Sequence, residues 1–122
     1  MKSNSKGLPS PLREALEAAL DKNALEITVL ELKEDGSFTD YFLICSGTSS
    51  RQIQTISDEI ERRLGLSGLH PLDVEGYNHG EWILMDYMNF VVHIFSERAR
   101  EFYDLERLWR TARRVPISPQ QK

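Results

Sequence analysis

With 122 residues and 15 basic against 19 acidic side chains, the chain is sized for one domain and carries a formal charge of −4. That balance argues against binding that neutralises a nucleic-acid backbone, and one cysteine excludes both an internal disulfide framework and a cysteine-based structural zinc site. No apolar run approaches the ~18–20 residues of a membrane span, and residues 1–6 lack the apolar core of a signal peptide, so a reducing, cytoplasmic setting with no membrane partner is expected.

Residues 1–9 read as a flexible N-terminus. Ser10-Pro11 reads as a helix start, serine as the cap and proline at the first helical position. Leu12, Ala15, Leu16, Ala19 and Leu20 then repeat at helical spacing in one narrow stripe, and Asn23 ends the element. Residues 25–32 mix β-branched and apolar side chains as a strand, and Glu34-Asp35-Gly36-Ser37 is a turn. Residues 40–45 follow as a second, more buried strand. Ser49 with Gln52 fits a capping box for a helix whose apolar stripe is Ile53, Ile56, Ile60 and Leu64, with Gly65 as its stop. Residues 72–74 make a short strand, and Gly76-Tyr77-Asn78-His79-Gly80 a turn region.

The centre of the pattern is a hairpin. Trp82-Ile83-Leu84-Met85-Asp86-Tyr87 and Phe90-Val91-Val92-His93-Ile94-Phe95 flank a two-residue turn, Met88-Asn89. Pairing about that turn sets Tyr87 opposite Phe90, Met85 opposite Val92 and Ile83 opposite Ile94, a wholly apolar core face. The period of two puts Trp82 opposite Phe95, Leu84 opposite His93 and Asp86 opposite Val91 on the other face. That second face is too polar for a core and too apolar for solvent, so either the chain's own helices or another molecule covers it.

Ser96 caps a helix through Arg98, Phe102 and Tyr103, and Asp104 a second short one carrying Leu105, Leu108 and Trp109. Trp109 and Phe102 are expected as intramolecular cover. Arg107, Arg110, Arg113 and Arg114 read as a solvated helix face near the C-terminus, with local RNA contact as the alternative. Pro116 and Pro119 mark a flexible tail over 116–122. The order of elements gives one α/β domain over 10–115, a mixed sheet of about five strands flanked by helices.

Chemistry is hard to place on this pattern. Ser46-Gly47-Thr48-Ser49 sits between a strand and a helix, where an anion could bind, but it lacks the lysine and spacing of a phosphate-binding P-loop. A nucleotidyltransferase would need paired strand carboxylates to hold metal, and Asp86 has Leu84 and Met88 two residues away. His70, His79 and His93 form no helical zinc pair, and Ser46, His93 and Asp86 lack the Gly-x-Ser-x-Gly elbow of a hydrolase. Cys45 ends an apolar strand as an inert thiol. No cofactor or metal is expected. The aromatic concentration in the last third suits an interface centre instead, and Trp82 with Phe95 could also form a homodimer seam.

Several stretches closely resemble the ribosomal silencing factor family, also called Iojap-like. They are Phe38-Thr39-Asp40-Tyr41-Phe42-Leu43-Ile44-Cys45-Ser46-Gly47-Thr48-Ser49-Ser50-Arg51-Gln52, Val74-Glu75-Gly76, Trp82-x-Leu84-x-Asp86-Tyr87, Val92-His93-Ile94-Phe95 and Arg100-x-Phe102-Tyr103-x-Leu105-Glu106-x-Leu108-Trp109. The resemblance spans about residues 10 to 110 in order and spacing, departing at Met88-Asn89, where the family usually has Gly-Asp. It implies a nucleotidyltransferase-like α/β fold without catalytic carboxylates, hence no enzyme. It also implies binding to the large ribosomal subunit through its fourteenth protein, which blocks joining of the small subunit and lowers translation when nutrients are scarce. The partner surface carried over is Trp82, Leu84, Asp86, His93 and Phe95, with Tyr87, Met88 and Asn89 at the rim.

Overall fold

The computed structural model describes residues 7–32 and 38–117, so the expected turn at 34–37 lies outside the described residues. In chain order the elements are α1 (Ser10–Asp21), β1 (Leu25–Glu31), β2 (Tyr41–Gly47), α2 (Ser50–Leu66) and β3 (Asp73–Glu75). They continue as β4 (Trp82–Asp86), β5 (Phe90–Ser96), α3 (Glu97–Tyr103), α4 (Leu105–Leu108) and β6 (Arg113–Arg114). The strands form one open mixed sheet in the order β3-β4-β5-β2-β1-β6. Among the described residues only β2 and β5 pair in parallel, and α2 lies in the crossover between them.

The helices sort to the two faces by what they can bury. On α1, Leu12, Ala15, Leu16 and Ala19 lie within 3% of full burial, and on α2 Ile53, Ile56, Ile60 and Leu64 within 1%. These stripes pack on each other and on Val29, Tyr41, Leu43, Cys45, Ile83, Met85, Val92 and Ile94. Strand alternation turns Leu30, Phe42, Ile44, Val91 and Phe95 to the opposite face, where Ala99, Leu105 and Trp109 meet them. Strand β2 is buried along its whole length, as a central strand covered on both sides must be.

Local signals succeeded unevenly. The Ser49 hydroxyl accepts from the Gln52 backbone N–H at 3.0 Å, but the Gln52 side-chain carbonyl returns to the Thr48 N–H rather than to that of Ser49. Pro9, not Ser10, occupies the α1 cap position, and its carbonyl accepts from Arg13 N–H at 3.0 Å. Helix α2 runs past Gly65, and the left-handed residue that closes it is Gly68, at φ +83°. The sheet has six strands rather than about five, because Arg113 and Arg114 pair with Glu31 and Leu30 at the edge instead of lying on a helix. Leu8 is buried, and Ile117 packs against the same core.

Candidate partner-binding surface

The β4–β5 ladder aligns Trp82 with Phe95, Ile83 with Ile94, Leu84 with His93, Met85 with Val92 and Asp86 with Val91, as the turn length and alternation require. Ile83 and Met85 are fully buried toward α1 and α2, whereas Trp82, Leu84 and Asp86 are half-buried on the other side. The cause is position in the sheet. Helix α3 packs over β5 and β2, while β4 has only the three-residue β3 beyond it.

Seven aromatic rings run across this face. Phe102 meets Tyr103 edge-on at 4.9 Å, Tyr103 lies 4.5 Å from Trp82, and Trp82 sits 5.0 Å from Phe95 and 5.9 Å from His93. His93 meets Phe42 at 4.6 Å, and Phe42 meets Trp109 at 5.7 Å. The run begins in solvent, with Phe102 77% and Tyr103 47% exposed, passes through the buried Phe95, His93 and Phe42, and ends at the half-buried Trp109. Trp109 is half-buried cover, as expected. Phe102 is not cover: α3 stops at Tyr103, the chain reverses at the left-handed Asp104, and the helix's last turn abuts Trp82.

His93 is buried and holds the run together. Its Nδ1 accepts from the Trp82 indole N–H at 3.1 Å, and burial pushes the imidazole pKa down to about 4. The neutral ring therefore carries its proton on Nε2, which is buried and finds no partner among the described residues. Asp86 does local work: its Oδ1 accepts from the Met88 backbone N–H at 2.8 Å. Met88 adopts φ +73°, a conformation that favours glycine. Met88 and Asn89 are exposed. Tyr87 faces the other way, buried and stacked on Phe90 at 5.0 Å, with its hydroxyl pKa raised by burial and, less so, by Glu61. Of the eight residues singled out from sequence, five reach this surface; His93 and Phe95 shape it from beneath, and Tyr87 anchors the turn from the core.

Beside the aromatic run lies a cavity of about 360 Å³ lined by Glu26, Ser46, Glu97, Arg100, Glu101, Asp104 and Glu106. Arg100 is committed there: it donates to Ser46 Oγ at 3.0 Å, to Thr28 Oγ1 at 3.3 Å and to Glu106 at 2.6 Å. The lining is mostly acidic, with Arg100 its basic member. Burial works to raise the Glu106 pKa, but hydrogen bonding and charge from Arg100 outweigh it and hold the carboxyl below its usual range.

The arrangement offers little to catalysis. Ser46 Oγ is taken by Arg100, His93 Nδ1 by Trp82 and Asp86 Oδ1 by Met88, so the three make no triad. At the strand-to-helix turn the Thr48 N–H and hydroxyl both donate to Gln52 Oε1, occupying donors that an anion would need. Cys45 is fully buried, and burial pushes its thiol up to about 12. Among the described residues no cluster of His, Cys, Asp or Glu is placed to hold a metal, and no helix is long and apolar enough to cross a membrane.

Comparison with known proteins agrees with this geometry. The family described as "ribosomal silencing factor during starvation" matches residues 5–122. The ribosomal silencing factor of Bacillus subtilis is 38% identical over 100 residues, covering 82% of this chain and 85% of that protein. A more distant relative from Mus musculus, named "mitochondrial assembly of ribosomal large subunit protein 1", is 31% identical over 91 residues, covering 72% of this chain and 40% of its own. A crystal structure of a Chromobacterium violaceum protein superposes with a TM-score of 0.79 at 29% identity, covering 81% of this chain and 82% of that one.

Proposed function

The chain belongs to the ribosomal silencing factor family, and on that premise we propose that it binds the large ribosomal subunit through its fourteenth protein and keeps the small subunit from joining. The surface is the exposed end of the aromatic run: Trp82, Leu84, Asp86, Met88 and Asn89, extended by Tyr103 and Phe102. His93 and Phe95 fix it from below. No reaction is needed. Occupying the place where two larger bodies meet is sufficient, and nutrient scarcity is the condition under which this lowers translation.

The observation that carries the reading is a solvent-facing cluster of three aromatic rings, Trp82, Tyr103 and Phe102. Central aromatic anchors are typically worth ~2–4 kcal/mol at an interface, and the chain's net charge of −4 suits the basic proteins of a ribosome, raising encounter rate and fixing register. The mouse relative's name ties that protein to the large subunit, which favours the same subunit here. Exposed Arg107, Arg110 and Arg114 would reach neighbouring ribosomal RNA. Self-association of the free protein would use the same rings and compete with the subunit.

The test is co-sedimentation with purified large subunits together with a light-scattering assay of subunit joining. Wild type should sediment with free large subunits and slow joining, while Trp82→Ala and Tyr103→Ala, shown folded by circular dichroism, should lose roughly 30-fold or more in affinity. Equal inhibition of joining by wild type and both variants would remove this surface from the account.

A further inference from the structure

A segment laid across the sheet just beside the proposed surface is held unlike the rest of the fold. No residue from 105 to 115 is buried. The segment comprises α4, a single turn, and β6, two residues at the sheet edge. It is held at a few points: Trp109 edge-on to Phe42 at 5.7 Å, Glu106 to Arg100 at 2.6 Å, Arg113 to Glu31 at 2.7 Å, and the Val115 N–H to the Val29 carbonyl at 2.9 Å. What it covers is apolar and tightly packed: Leu30, Phe42, Ile44 and Val91 are at most 5% exposed.

Two features strain this closed arrangement, and both lie at the segment or directly under its neighbours. Asp104, where the segment departs from α3, is left-handed at φ +49° and ψ +56°, and its side chain makes no capping bond in return. Next to Phe42, the His93 Nε2–H is buried without an acceptor. Relaxing Asp104 to a right-handed conformation would swing α4 outward about that residue.

We propose that residues 105–115 are a detachable strap, hinged at Asp104, whose lifting uncovers Phe42, Val91 and His93 as an extension of the partner surface. This rests on the proposed docking site. It adds that the surface has a smaller closed form and a larger open one, and that the partner selects the second. Val91 and Phe42 lie one and two strands inward from Leu84, so the opened patch is continuous with the exposed rings. A basic protein partner would place a carbonyl against His93 Nε2, satisfying the donor that the closed form leaves unpaired. With the strap down, the free protein shows less apolar surface, which limits self-association.

The experiment is hydrogen exchange on the intact chain, joined to a covalent lock. In wild type the amides of Trp109, Ala112 and Val115 should exchange about 100-fold or more faster than those of β5. Glu106→Gln, which weakens the clasp to Arg100, should speed the strap amides roughly tenfold and leave β5 unchanged. Glu31→Cys with Arg113→Cys places two thiols at directly paired positions on β1 and β6. Its oxidised form should slow strap exchange and bind purified large subunits about tenfold more weakly than its reduced form. Strap amides exchanging as slowly as β5, or oxidised and reduced forms binding equally, would overturn the proposal. If wild type fails to bind the subunit at all, the docking reading falls instead, and the exchange rates alone decide whether the strap opens.

Discussion

Acidification between pH 7 and 5 should act on this protein mainly through His93. The imidazole is 4% exposed, and burial sets its pKa at about 4 against an ordinary value of 6.5. A folded-state pKa below the unfolded one means the unfolded chain binds the proton first, so the stabilising contribution is complete above pH 6.5 and lost as the pH falls toward 4. At 1.36 kcal/mol per pH unit, the gap is worth roughly 3.4 kcal/mol once both states are protonated, and about 2 kcal/mol at pH 5. Protonation would also place a hydrogen on Nδ1, which faces the Trp82 N–H. The Glu59 ion pairs stay intact over the same range: its carboxyl is pulled down to about 2 by its hydrogen bonds to Arg62 and Arg63. Urea unfolding at pH 7, 6 and 5 measures the effect. His93→Gln is the control, since its carbonyl can accept from Trp82 and it carries no titrating proton. Wild type should lose about 2 kcal/mol and the variant under about 0.5 kcal/mol. A flat wild-type profile, or equal losses in both proteins, would refute the assignment.

Three further outcomes follow from single positions. Gly76 sits at φ +82°, and a Cβ there would lie 2.1 Å from the Trp82 carbonyl oxygen; Gly76→Ala should destabilise by roughly 2–4 kcal/mol and shift the Trp82 fluorescence. Met88→Gly removes a left-handed side chain that is 60% exposed; it should raise stability by about 0.5–1 kcal/mol in urea titration, with strain relief exceeding the added unfolded-state entropy. Cys45, fully buried with its thiol pushed up to about 12, should resist a disulfide thiol reagent in the native protein and react roughly 1000-fold faster in urea.

The hairpin was the most legible part of the sequence, because two apolar runs around a two-residue turn leave one register, and the period of two then assigns every side chain to a face. All five β4–β5 pairs follow from that. The stripes of α1 and α2 were legible for the same reason, with period 3.6 in place of two. Strand β6 was hidden because its pairing depends on the backbone of Leu30 and Glu31, more than eighty positions earlier, and Arg-Arg has no apolar alternation to betray it. The outward turn of Phe102 was hidden too. Helical spacing groups it with the buried Ala99, but α3 ends before that grouping can matter. For the mixed face, sequence could say only that cover was needed. The structure divides it: α3 and the segment after it cover β5 and β2, while β4 stays partly exposed.

That division explains how one residue can pack on the core and still stand at the proposed interface. Trp82 is exposed enough to be touched, yet its indole is fixed by Phe95 below, Tyr103 beside it and the bond to His93 Nδ1. A side chain already held in one rotamer loses little freedom on binding, so more of its contact energy appears as affinity. The bond to His93 should then be measurable as coupling. In a stability cycle of Trp82→Phe and His93→Phe, each single change leaves a partly buried donor or acceptor without its partner, and the double change removes both. The double variant should be about 1 kcal/mol more stable than the two single losses imply. Additivity within ~0.3 kcal/mol would mean that the indole is held by its neighbours' shape alone, and that His93 does not orient the surface.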